Sequence, residues 1–210
     1  MKKTIVIAAA LLMMLSAVGC ENKNDNSSSS AASSAASSSK AASGSSAAQT
    51  DTGDDDIVIE HTTDGTLTDN VYDCSLYSFE IDKEKWVQQT GDDTIDCMFI
   101  YQKDNSYGSF NVISVSDEEL ADANIEDYGQ MMIDTYADQV SDINGETSEL
   151  SGEKAYTLTF TQTQETELKT VQILSIKGSN LYIVTYSAAV DSFDELSADA
   201  ENILSTFTFK

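Results

Sequence analysis

Arginine and proline are absent from this chain of 210 residues, histidine and tryptophan occur once each, and cysteine three times. Eleven lysines face 36 acidic residues, for a formal charge of −25. A surface of that sign repels nucleic acid and anionic lipid headgroups, which excludes a nucleic-acid-binding role. The lone histidine, His61, stands at the edge of the expected folded part. One histidine so placed removes Ser-His-Asp and Cys-His catalysis and histidine-rich zinc sites. No glycine-rich phosphate loop occurs. Beyond the N-terminal stretch, no segment approaches the ~20 apolar residues needed to span a bilayer.

The N-terminal stretch comes first among the features present. Met1-Lys2-Lys3 is a basic head, Thr4 to Ala17 an apolar run, and Ala17-Val18-Gly19 a small-residue exit before Cys20. This order reads as a secretory signal over 1–19, too short for a comfortable transmembrane helix. Ala17-Val18-Gly19-Cys20 resembles the lipobox of bacterial lipoproteins, although that family prefers Leu where Ala17 stands. The resemblance implies a diacylglyceryl group, with palmitate-type acyl chains, on the Cys20 thiol, and cleavage that leaves Cys20 as the mature N-terminus. Two or more acyl chains anchor stably where one does not. The implied location is the extracytoplasmic side of the cell membrane. Loss of Lys2 and Lys3 leaves nine lysines against the same 36 acids, a net of −27.

From 20 to 56 the composition shifts to Ser and Ala, ending in Asp54-Asp55-Asp56. Nothing larger than alanine is available for burial in the Ser/Ala run, so it reads as a solvated tether with a root-mean-square reach of about 30 Å. The folded domain is expected over 57–210. Cys74 and Cys97 form an even pair in a compartment where disulfides persist; both a bridge and two buried free thiols fit the pattern.

Within 57–210, Ile57–Ile59 reads as a short first strand. Leu76–Ile81 alternates, putting Tyr77, Phe79 and Ile81 on one face. Asp82–Lys85 turns the chain into Trp86, and Ile95–Tyr101 and Ser109–Val115 are further strands. Ser116-Asp117-Glu118-Glu119 has the form of a capping box. Asn124 caps a helix over Ile125–Val140, with Ile125, Tyr128, Met132 and Tyr136 as its buried stripe. Gly145 and Ser151-Gly152 read as turns. Strands follow over Lys154–Gln162, Thr170–Ile176 and Leu181–Tyr186, the last two joined at Gly178-Ser179-Asn180. A second capping box at Ser192 opens a helix with the stripe Phe193, Leu196, Ala200, Ile203 and Leu204. Thr206–Phe209 closes the chain as a strand. The expected class is α+β, a mostly antiparallel central sheet with helices packed on its faces in an α/β/α sandwich.

Tyr77-Ser78-Phe79-Glu80-Ile81 with Trp86 close behind, the mid-chain helix, Leu181 to Ala188, Phe193, and Ile203 to Phe209 together resemble the PsbP-like family. Its members include an extrinsic protein of photosystem II, a nuclear Ran-binding factor and many bacterial lipoproteins. Asp82-Lys83-Glu84-Lys85 stands where the family commonly has a Pro-x-Gly turn before its Trp. The resemblance implies a non-enzymatic accessory or binding module. Its partners would be the membrane through the anchor and another envelope protein.

Chemistry-bearing candidates are few. Ser151 to Lys154 matches the Ser-x-x-Lys of penicillin-binding enzymes, but the serine falls in a hairpin turn with no Lys-Thr-Gly downstream. Calcium needs six to eight oxygens; Asp92, Asp93 and Asp96 are the candidate ligands, without a defined spacing. Asp191, Asp194 and Glu195 are explained by a helix start, and no other cofactor is indicated. Trp86 reads first as a core residue; if the domain has a binding site, it is expected where Trp86 and the 88–96 loop meet the sheet edge, with Tyr101 and Tyr107 near. The alternatives are a calcium or small-ligand module and, more distantly, a hydrolase of cell-envelope material.

Overall fold

The computed structural model describes residues 64–89, 95–103, 106–163 and 166–210, and among them eleven strands form, all paired antiparallel, most of them built by aromatic and β-branched residues at alternate positions. A small sheet has the order β1 (Thr66–Thr68), β2 (Val71–Asp73), β3 (Tyr77–Glu80), β11 (Thr208–Phe209). A seven-stranded sheet runs β4 (Trp86–Gln89), β5 (Cys97–Tyr101), β6 (Gly108–Ser116), β10 (Asn180–Ala189), β9 (Glu167–Lys177), β8 (Glu153–Thr163), β7 (Ser141–Leu150). Two helices, α1 (Ile125–Tyr136) and α2 (Phe193–Thr206), complete the α+β architecture. The Ile57–Ile59 strand, the signal, the tether and Cys20 lie outside the described residues.

The large sheet separates two apolar layers, and strand alternation assigns the residues to them. Tyr182, Val184, Tyr186 and Ala188 of β10 face the small sheet and α2, meeting Tyr77, Phe79, Leu196, Ile203 and Phe207. Leu181 and Ile183 face the opposite side, where Ile125, Met132 and Tyr136 of α1 pack on Leu158, Phe160 and Leu174. Helix α1 lies across β7, β8 and β9, and α2 against β3, β6 and β10. The stripes expected for both helices are therefore their buried faces, with Tyr128 and Leu204 only half-buried. On the α1 side of β6, β9 and β10 the apolar layer gives way to a buried polar row. There Thr170 and Ser187 hydroxyls pair at 2.9 Å and Gln172 Nε2 donates to Thr185 Oγ1 at 3.3 Å.

Caps differ in detail from the sequence expectation. Asn124 does cap α1, its Oδ1 accepting from Glu126 N at 3.1 Å. In the first box Asp117, one residue later than Ser116, is the cap, accepting from Glu119 N at 2.8 Å and opening a 3-10 turn over Glu118–Asp122. Carboxylate and hydroxyl both suit that position, and the carboxylate takes it. Ser192 precedes α2 but makes no side-chain cap bond. Helix α1 ends at Tyr136, short of the expected Val140.

Gly145 is not a turn; it lies inside β7, paired with Leu158. Its role is steric. A Cβ at Gly145 would stand 2.6 Å from the Tyr156 ring, and one at Gly129 on α1 only 2.1 Å from it. The two glycines therefore form a slot that lets α1 approach β7 and β8 around the Tyr156 ring. Gly129→Ala should lower stability by about 1–3 kcal/mol through overpacking, although alanine normally favours a helix interior by about 1 kcal/mol. Urea unfolding checks this, and combining it with Tyr156→Ala should remove the penalty. Ser151-Gly152 is the expected turn, with both residues at positive φ (51° and 81°) as a two-residue hairpin loop requires. Ser151 therefore starts no helix.

Candidate functional site

The expected site splits into a buried part and an open one. Trp86 is 1% exposed, and its ring meets Tyr101 edge-on at 5.2 Å, itself 7% exposed. The structure brings these two together as core, so Trp86 is not an exposed platform. Its position at the start of β4, paired with Tyr101 on β5, turns the indole inward. Tyr107 is half-buried before β6, where its carbonyl accepts from Ala189 N at 3.2 Å. Asp92 and Asp93 lie outside the described residues.

Asp96 is 8% exposed, and its surroundings account for it. The Tyr77 hydroxyl donates to Asp96 Oδ2 at 3.3 Å, and the Tyr72 hydroxyl to the Asp96 carbonyl at 3.3 Å. This carboxylate points into the small-sheet layer, away from any surface ion. Among the described residues no three His, Cys, Asp or Glu side chains are grouped to hold a metal.

Cys74 and Cys97 are both buried free thiols, so the bridge is not formed. Each sulfur is engaged with Tyr77: Cys74 Sγ donates to the Tyr77 carbonyl at 3.3 Å, and Cys97 Sγ stands 3.6 Å from the Tyr77 hydroxyl. Burial pushes both thiols above their ordinary pKa. Since the thiolate is the reactive species, neither should react with a thiol-specific disulfide reagent at neutral pH until the domain unfolds. In a Cys20→Ala chain, titration before and after adding denaturant reads this directly. Rapid native-state labelling would contradict it.

The open part is a cleft of about 430 Å³ between the segment around β3 and the C-terminal half of α2. Ile81, Trp86 and Ile203 line it as buried apolar residues. Asn70, Glu80, Asp82, Lys85, Asp199 and Asn202 supply its polar groups, with Ser205 and Thr206 beside them. The Asp82–Lys85 turn that replaces Pro-x-Gly is held by main-chain bonds, with Lys85 N and Trp86 N donating to the Asp82 carbonyl at 3.0 and 2.9 Å. The Asp82 side chain adds a bond from Glu84 N at 3.0 Å, and Asn70 Oδ1 accepts from Lys83 N at 3.2 Å. Across the cleft, Thr206 Oγ1 accepts from Glu80 N at 2.9 Å and fastens α2 to β3.

Lys85 is the cation of this lining. Its Nζ donates to both carboxylate oxygens of Asp199, at 2.8 and 3.0 Å, and this bond raises its pKa. With Lys85 so engaged, Glu80 and Asp82 leave the cleft acidic, rich in acceptors and built on regular elements. Asn70, which the sequence reading missed, sits here because Asp69-Asn70 forms a two-residue loop at positive φ (48° and 71°) between β1 and β2. Asp and Asn tolerate that conformation, so the dipeptide was the available signal. Asp199 and Asn202 fall on the side of α2 that the apolar stripe leaves unassigned.

Comparison with known proteins gives fold neighbours only. No protein-family model and no curated protein matches the chain. Among solved structures, it is similar to LpqN of Mycobacterium tuberculosis, described as involved in cell envelope biogenesis. The TM-score is 0.49 at 13% identity, over 64% of this chain and 83% of that one. It is also similar to cyanobacterial PsbP (CyanoP) from Synechocystis sp. PCC 6803, with a TM-score of 0.48 and 18% identity over 64% and 86% of the two chains. A Bacteroides thetaiotaomicron structure gives 0.47 at 9% identity over 72% of this chain and 49% of that one. No helix among the described residues is long and apolar enough to cross a membrane.

Proposed function

We propose that this protein is a lipoprotein held at the extracytoplasmic face of the cell membrane through Cys20, and that its domain is a non-catalytic binding or accessory module. The single observation that carries the binding role is the acidic cleft beside Lys85 and Asp199, open, rigidly framed and lined by acceptors. Its chemistry suits a basic segment of another envelope protein, whose Lys or Arg side chains would supply donors to Glu80, Asp82, Asn70 and Asn202. The tether between Cys20 and the domain supplies reach, so membrane position and cleft recognition are separable.

The test is affinity capture from detergent-solubilised membranes with wild type, Cys20→Ala and Asn202→Arg. Asn202 is exposed on α2, so the arginine should leave the fold intact while adding a positive charge, and a long side chain, to the acidic cleft. The expected result is an envelope protein captured by wild type and depleted about tenfold or more with Asn202→Arg, on the scale of interface residues worth over 1 kcal/mol. Equal capture by wild type and Asn202→Arg would remove the cleft from the function.

A further inference from the structure

A second hollow lies on the other side of α2, away from the acidic cleft. Phe110, Val171, Ile173, Val184 and Tyr186 of the large sheet form its floor, and Phe193, Ala200 and Leu204 of α2 its roof. Its volume is about 160 Å³, close to the ~150 Å³ of an apolar cavity that stays dry and binds benzene. Besides the Tyr186 hydroxyl, two polar side chains line it, Ser197 and Glu201. The Ser197 hydroxyl already donates to the Asp194 carbonyl at 2.9 Å, which leaves its oxygen as an acceptor. The Glu201 carboxylate has acceptors only. The Tyr186 hydroxyl is likewise committed, donating to the Phe193 carbonyl at 3.1 Å.

We propose that this hollow is a binding site for a ring-sized apolar molecule carrying one hydrogen-bond donor, a phenol, indole or small amine, with its body between α2 and the sheet and its donor at Ser197 and Glu201. The two polar side chains that α2 contributes to the lining are acceptors, so a neutral or cationic head is matched better than a carboxylate; the nearest cation, Lys169 Nζ, is seated 4.3 Å over the Phe193 ring. A charge of −25 on the chain adds to that preference. The site is independent of the cleft reading: a variant that abolishes partner capture, such as Asn202→Arg, leaves this hollow unchanged.

The experiment is an amide-resolved NMR titration of the full chain carrying Cys20→Ala with phenol, indole, benzylamine, toluene and benzoate. Phenol, indole and benzylamine should shift Val184, Ala200 and their neighbours, with toluene about tenfold weaker for want of the donor and benzoate without effect. Glu201→Gln should weaken benzylamine more than phenol. Ala200→Leu, which fills the hollow, should abolish all shifts, and Leu204→Phe serves the same purpose if the leucine variant does not fold. The absence of shifts with every donor-bearing probe at millimolar concentration would overturn the proposal. So would shifts that survive filling, or benzoate and toluene binding as well as phenol.

Discussion

Raising the pH beyond 10 should unfold this domain in one cooperative step, centred near pH 11. Tyr72, Tyr77, Tyr136, Tyr182 and Tyr186 are all 4% exposed or less. Burial pushes each hydroxyl above its ordinary value of 10, Tyr182 to about 12 and the others further. A folded-state pKa raised above the unfolded value stabilises fully below pH 10, and that contribution is lost as pH rises towards the folded value. In that window each tyrosine costs about 1.4 kcal/mol per pH unit. Five together cost about 7 kcal/mol per unit, against a total domain stability of about 5–15 kcal/mol. Tyrosinate absorbance and far-ultraviolet circular dichroism should therefore change together. Gradual tyrosine ionisation with the fold intact past pH 12 would show that the rings are not sealed in the core.

The second large effect is expected at Phe79. Its ring stands between the two sheets, with Tyr72, Phe99, Phe110 and Phe207 centroids at 5.1, 5.9, 5.3 and 6.0 Å. It is 1% exposed and connects β2, β3 and the C-terminal segment to β5 and β6. Phe79→Ala should cost about 3–5 kcal/mol, from lost burial and a cavity that rigid neighbouring rings cannot close. Urea unfolding of Phe79→Ala and Phe79→Leu reads it, the leucine variant losing less. A loss below about 1 kcal/mol would mean that the small sheet is not held to the large one by this cluster.

Strands with strong alternation and helices with one apolar stripe were legible because burial itself writes the pattern. Tyr77 and Phe79, Ile125 with Met132 and Tyr136, and Phe193 with Leu196 each mark an inward face. Four strands escaped for the complementary reason. The edge strand β7 is largely exposed, so Ser141 to Glu149 carries almost no apolar signal, and Gly145 within it suggested a turn where the Tyr156 ring required room. Strands β1 and β2 are three residues each and pair across Asp69-Asn70. Strand β4 opens on Trp86, whose indole is core as its size suggests, but the polar Gln88 and Gln89 that follow it hid the strand. The cleft was less legible still. Lys85 and Asp199 are 114 residues apart in sequence, and only the docking of α2 beside β3 brings them together. No spacing rule connects Asn70, Asp82 and Asn202 either. Nor does any spacing announce that the Asp96 carboxylate is held in the interior by the Tyr77 hydroxyl.

The most direct measurement on the proposed role is intact and peptide mass spectrometry of the protein isolated from membranes of its producing cells, beside Cys20→Ala. The account predicts a mature chain that begins at Cys20 with the mass of a diacylglyceryl group on it, and release of Cys20→Ala from the membrane fraction. A mature N-terminus elsewhere, or an unmodified Cys20 thiol on a protein that still sediments with membranes, would contradict it.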